Sequence, residues 1–182
     1  MKVLDIFQHW PVELPLSDLI RKGVFLMALT SAKRPSELAA LMCDDNHFRW
    51  EGENLCFVPS CLTKADRPGH LAPPFYVKPW KEVLCVCPME TVRLILLDRV
   101  RLGLQHSTIF FSWTFPHRPM NAAAVERCLQ FCPVKAGFSA TPASSRSIAA
   151  SAALAGSAYL GDVLCPRDWS SASTFFRFHH AP

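Results

Sequence analysis

The sequence predicts an α+β fold, mostly α-helical with one small antiparallel sheet. Apolar residues recur at helical spacing in several segments, most clearly over Leu19–Leu29 and Val92–Val100. Two short aromatic or β-branched runs, Phe48–Trp50 and Leu55–Val58, flank Glu51-Gly52-Glu53-Asn54, the pattern of a hairpin. A length of 182 residues with 50% hydrophobic and 19% charged residues gives one domain enough apolar material for a real core. It also argues against disorder as a global description.

Residues 1–16 hold turn signals and no sustained period, and read as a lead-in segment. Ser17 reads as the N-cap of a buried helix that runs to about Ser31, with Asp18 favourable in its first turn. Lys33-Arg34-Pro35 breaks that helix, and Pro35 fits the first turn of a second one over Ser36–Met42. After the hairpin, residues 59–74 are rich in Pro, Gly and charge, and Phe75–Val77 can add a third strand. Pro88 and Met89 open a helix that stops near Gly103, with Arg93, Asp98, Arg99 and Arg101 on its solvated positions. Ile109–Phe111 is extended, and Asn121 caps a helix over Ala122–Phe131. A loop over Gly137–Ser145 leads to an Ala/Ser-rich helix over Arg146–Gly156. Short helices follow over Leu160–Leu164 and Ser171–Phe178.

The net charge of +4 permits a polyanionic partner without demanding one. No apolar run reaches membrane-spanning length, and no signal peptide is visible, so the expected setting is intracellular. Eight cysteines without a secretory signal, without CxxC and without HxxxH point to small buried hydrophobes rather than to disulfides or zinc. No metal and no cofactor is expected.

Three separated segments have an order that resembles the catalytic domain of tyrosine recombinases, most of all the recombinase carried by DIRS-type retrotransposons. They are Leu29–Leu38 (LTSAKRPSEL), Pro59–Lys64 just after the hairpin, and Ser144–His180. The last segment places a Trp 23 residues after Arg146, then Ser-Thr-Phe and an aromatic Arg-Phe run. The resemblance covers residues 17–182 and implies the tyrosine-recombinase catalytic-domain fold, without that family's N-terminal core-binding domain. It also implies DNA breaking and rejoining without metal or nucleotide, through a covalent 3′-phosphotyrosine link.

On that resemblance Arg34 and Arg146 are the two phosphate-holding arginines, and Lys64 is the acid that protonates the leaving 5′-oxygen. The chemistry suits the residue types: a guanidinium forks onto phosphate oxygens, and an ammonium can give up a proton when its surroundings lower its pKa. Glu37, three residues after Arg34, is expected to orient it. Trp169 matches the family's third-box Trp or His and can donate its indole N–H to a phosphate oxygen.

Two positions depart from the family. Ala143 stands where it has the histidine of His-x-x-Arg, and His179 stands where it has the nucleophilic tyrosine. Tyr76 and Tyr159, the two tyrosines present, lack the family's context. The expectation is a recombinase-derived domain that binds double-stranded DNA through Arg34, Lys64 and Arg146 and has lost its chemistry. The resemblance further implies a nuclear location, other recombinase protomers as partners, no membrane and no small-molecule substrate. Two alternatives remain: an active strand-transfer enzyme with His179 as nucleophile, and a non-enzymatic interaction module.

Overall fold

The computed structural model describes residues 13–60, 73–81 and 84–135. The first helix, α1 (Leu16–Ser31), buries most of its surface, including Ile20, Val24, Phe25 and Met27. Its N-cap is Pro15 rather than Ser17. The Pro15 carbonyl accepts from the amides of Asp18 (2.9 Å) and Leu19 (3.0 Å), which leaves Ser17 inside the first turn with no capping role. Asp18 is in that turn as expected and pairs with Arg21 at 3.0 Å.

Ala32 ends α1 in the left-handed region (φ 50°) and donates its amide to the Ala28 carbonyl at 2.8 Å. The short helix α2 (Pro35–Ala39) follows with Pro35 in its first turn. It stops before Met42 because the chain there turns to pair with a distant segment. Leu41 accepts from the amide of Ile109 (2.8 Å), Met42 bridges Thr108, and Cys43 donates to Ser107 (2.7 Å). Residues 41–43 are thus tied to 107–109.

The hairpin and third strand form as the pattern predicts. Strands β1 (Phe48–Glu51), β2 (Asn54–Phe57) and β3 (Phe75–Val77) make an antiparallel sheet in the order β1-β2-β3. Gly52 supplies the positive φ of 59° that the turn requires. Phe48 faces Phe57, and Phe57 faces Phe75, so three rings line one face of the sheet, the first pair tilted and the second stacked. That face closes on the core with Leu55 and Val77.

A 3₁₀ turn at Leu84–Val86 leads into α3 (Pro88–Arg101), whose bounds agree with the sequence pattern. Its phase does not agree throughout. Arg99, expected in solvent, is only 7% exposed, while Val100, expected in the core, is 81% exposed. The buried guanidinium donates to the backbone carbonyls of His106 and Thr108, and those bonds make its burial possible.

Helix α4 (Ala122–Lys135) begins where Asn121 predicts: the Asn121 Oδ1 accepts from the Ala124 amide at 2.9 Å. It runs a turn past Phe131 and contains Pro133. Buried Val125, Cys128, Leu129, Cys132 and Pro133 hold this helix to the core along its length. Helix α1 packs against both α3 and α4, and α2 packs against α4. At the α1–α3 crossing a Cβ on Gly23 would stand 2.5 Å from the Ile95 Cδ1, so glycine leaves room for the tip of that side chain.

The expected loop over Gly137–Ser145 and the helices expected after it lie outside the described residues.

Candidate functional site

Arg34 sits where the sequence places it, at the junction between α1 and α2. Its own backbone is extended (φ −73°, ψ 158°) and it forms the N-cap of α2. The Arg34 amide donates to the Glu37 Oε2 at 2.6 Å. Glu37 therefore orients Arg34 through the main chain, by closing the first turn of the helix, rather than through the guanidinium as expected. The Arg34 side chain is half-buried and has no hydrogen bond or ion pair to another described residue.

Three neighbours shape the surroundings. Lys33 is buried, 6% exposed, with its Nζ 5.4 Å from the Phe75 ring centre. Ser60, just beyond β2, donates its hydroxyl to the Ala40 carbonyl and so pins the exit of the sheet to the end of α2. Between them lies a cavity of about 20 Å³ bounded by Lys33, Glu37, Pro59, Ser60 and Phe75. The Glu37 Oε1, buried and without a hydrogen-bond partner, is beside it. The α1–α2 junction and the end of β2 are thus held together, with one guanidinium and one carboxylate oxygen unspent.

Lys33 was not singled out by the sequence. A lysine before Arg-Pro in a helix break reads as a solvated charge, and only the packing of β3 beneath it shows otherwise.

Lys64, Ala143, Arg146, Trp169 and His179 lie outside the described residues. Of the tyrosines, Tyr76 is on β3, half-exposed, and its hydrogen bond to Glu51 holds its pKa above the ordinary phenol value. That is the opposite of what an activated nucleophile needs.

Two buried cysteines on α4 carry their protons firmly. Burial pushes the Cys128 thiol up to about 11 and the Cys132 thiol up to about 12. Among the described residues no group of three or more His, Cys, Asp or Glu gathers in a way that could hold a metal ion. Likewise, no helix among them is long and apolar enough to cross a membrane.

No family model matches the sequence, and no curated protein matches it. Solved structures do. The crystal structure of XerA recombinase matches with a TM-score of 0.62 at 18% identity, over 96% of this chain and 62% of that one. A lambda integrase dimer bound to a COC′ core site matches with a TM-score of 0.59 at 14% identity, over 98% of this chain and 45% of that one. The 75–356 piece of lambda integrase, also a dimer on a COC′ core site, gives the same score and identity over 56% of its length. The fold is that of the tyrosine-recombinase catalytic domain. This chain corresponds to only part of each of those proteins.

Proposed function

We propose that this chain is a DNA-binding domain derived from a tyrosine recombinase of the DIRS type of mobile element, and that its strand-breaking chemistry is lost. The observation that carries the reading is the Arg34 guanidinium, fixed at its root by Glu37 and spent on no other described residue. A rigidly rooted, unpaired guanidinium beside a loop exit is what a phosphate clamp requires. The likeness of fold to recombinases supports it, as does a lambda integrase seen as a dimer on a DNA core site.

In this reading Arg34, Lys64 and Arg146 grip one backbone phosphate of double-stranded DNA, and Trp169 packs beside it. Ala143 removes a histidine that would assist proton transfer. His179 replaces a phenol with a shorter imidazole, whose phosphoramidate is more labile than an aryl phosphate. The domain runs over residues 17–182 after a lead-in, acts in the nucleus, and pairs with a second protomer.

The test uses a nicked suicide duplex carrying an inverted recombinase-type site, with protein–DNA adducts read on a denaturing gel and binding read by anisotropy. The natural chain is expected to bind and form no adduct. The double variant Ala143→His with His179→Tyr is expected to form one. An adduct in the natural chain that vanishes in His179→Ala would overturn the loss of chemistry and establish a histidine nucleophile. Binding unchanged by Arg34→Gln would remove the phosphate clamp.

A further inference from the structure

We propose that the groove between the 112–120 segment and the first turns of α4 is a second phosphodiester site, which takes the backbone of duplex DNA through Arg118 and Arg127. The proposal rests on the DNA-binding reading above and adds a contact that Arg34 does not supply. The groove encloses about 300 Å³ and is open to solvent along one side. No acidic residue lines it.

The two arginines reach it from different elements. Arg118 is on a segment whose backbone is pinned: its carbonyl accepts from the Ser112 amide at 2.9 Å, and the adjoining Pro119 bridges Phe111. Arg127 is on α4, in register with Asn121 and Ala124 at three-residue spacing, so these three share a helix face toward the groove. Ala124 keeps the floor low between them. Trp113 supplies a flat apolar wall, held from elsewhere by the Arg21 guanidinium, 4.7 Å from its ring centre. Such a wall suits deoxyribose.

What distinguishes these two guanidinium groups is that no described residue uses them. Arg49, Arg93 and Arg101 are also exposed, and each has a carboxylate: Glu51, Glu90 and Asp98 respectively. The side chains of Arg118 and Arg127 are exposed and have no hydrogen bond or ion pair to another described residue. Two like charges lining one groove with no anion between them repel, and a phosphate seated between them relieves that repulsion while accepting their planar donors. A continuous polyanion does so at lower entropic cost than a free ion, because its phosphates are already linked and counterions leave as it binds.

The experiment measures anisotropy of a labelled nonspecific duplex against the full chain from about 50 to 200 mM salt, where each lost phosphate contact lowers the log–log salt slope by about 0.9. Arg118→Gln with Arg127→Gln is expected to lower the slope by about 2 and weaken binding at least about tenfold at the low-salt end, equally for different sequences. The matching lysine pair, Arg118→Lys with Arg127→Lys, is expected to keep the slope. Arg93→Gln, which removes an exposed charge already paired with Glu90, is expected to leave it unchanged.

An unaltered slope in the double glutamine variant, with the natural chain binding and Arg34→Gln weakened, overturns the groove and spares the DNA-binding reading. An equal loss in Arg93→Gln overturns it also, since general charge would then suffice. Groove-dependent binding of inorganic phosphate with no change in the DNA slope would make this a small-anion site and overturn the DNA assignment. A natural chain that does not bind duplex DNA at all overturns the DNA-binding reading and the groove together.

Discussion

Arg99, near the end of α3, spends its guanidinium on the protein; Arg34, at the start of α2, spends only its backbone. Arg99 is almost wholly buried and donates to the carbonyls of His106 and Thr108, with His106 Nδ1 3.4 Å away. His106 in turn is fixed at both nitrogens. Its Nε2 lies 2.9 Å from the His117 carbonyl, to which it can donate, and its Nδ1 lies 2.9 Å from the Thr108 hydroxyl. This network orders the 106–117 segment. At Arg34 the order runs the other way: Glu37 and Pro35 fix the main chain and leave the side chain unspent. On the proposed reading, a cation that finishes a fold and a cation that awaits an anion are told apart by where their donors go.

The largest effect should come from Arg99→Met, which buries an apolar side chain in place of the guanidinium and leaves two part-buried carbonyls without its donors. A loss of about 3 kcal/mol in urea unfolding is expected. A loss under about 0.5 kcal/mol, the usual size for a plain surface substitution, would erase the contrast with Arg34.

Packing sharpens it next. Gly23→Ala brings a methyl against the Ile95 Cδ1, the tip of a side chain on the helix that carries Arg99, and is expected to cost at most about 1 kcal/mol once alanine's better helix propensity is set against the crowding. Ile95→Val in the same chain removes the clashing atom and should recover part of that loss.

Alkaline pH separates the arginines from the thiols. Folding raises the pKa of Cys128 and Cys132 to about 11 and about 12, so the unfolded chain releases their protons first. These two thiols add no pH dependence below about pH 8.5, and above it each lowers stability by up to about 1.4 kcal/mol per pH unit. Cys132→Ala should flatten that fall, whereas the arginines stay charged throughout.

The smallest stability change belongs to Arg34→Gln, expected within about 0.5 kcal/mol of the natural chain by the same urea titration. The same variant should lose DNA affinity by about tenfold, the worth of one charge-assisted contact. Instability equal to that of Arg99→Met would mean that Arg34 is structural after all.

Much of the fold was legible in the sequence because its signals are local. Gly52 between aromatic strands marks the hairpin, Pro88 marks the start of α3, and Asn121 marks the cap of α4. What was not legible depends on partners far along the chain. Nothing near Arg99 in sequence says that two carbonyls a turn and a loop away will take its donors, so residue type alone puts it in water and Val100 inside. Pro133 looks like a stop, yet the burial of Leu129 and Cys132 carries α4 through it. The place of Arg34 at the helix junction was legible through its Arg-Pro-Ser-Glu-Leu context, while the main-chain role of Glu37 and the burial of Lys33 needed the turn geometry and β3. Arg118 and Arg127 gave no sequence signal, because isolated arginines are common on any surface. Their meaning comes from sharing a groove without a carboxylate.

The tie between residues 41–43 and 107–109 sets the order in which this molecule can be assembled. Cys43 and Ser107 are 64 positions apart, and the sheet and α3 lie in the loop they close. A chain emerging from the ribosome presents the Arg34 turn early, but the Leu41 carbonyl has no donor until the amide of Ile109 has been made. Long-range closures of this kind come late in folding. The α2 turn therefore waits, with its downstream edge loose, for the segment that also carries the Arg99 network. The cradle of the unspent arginine is locked by the neighbours of the spent one.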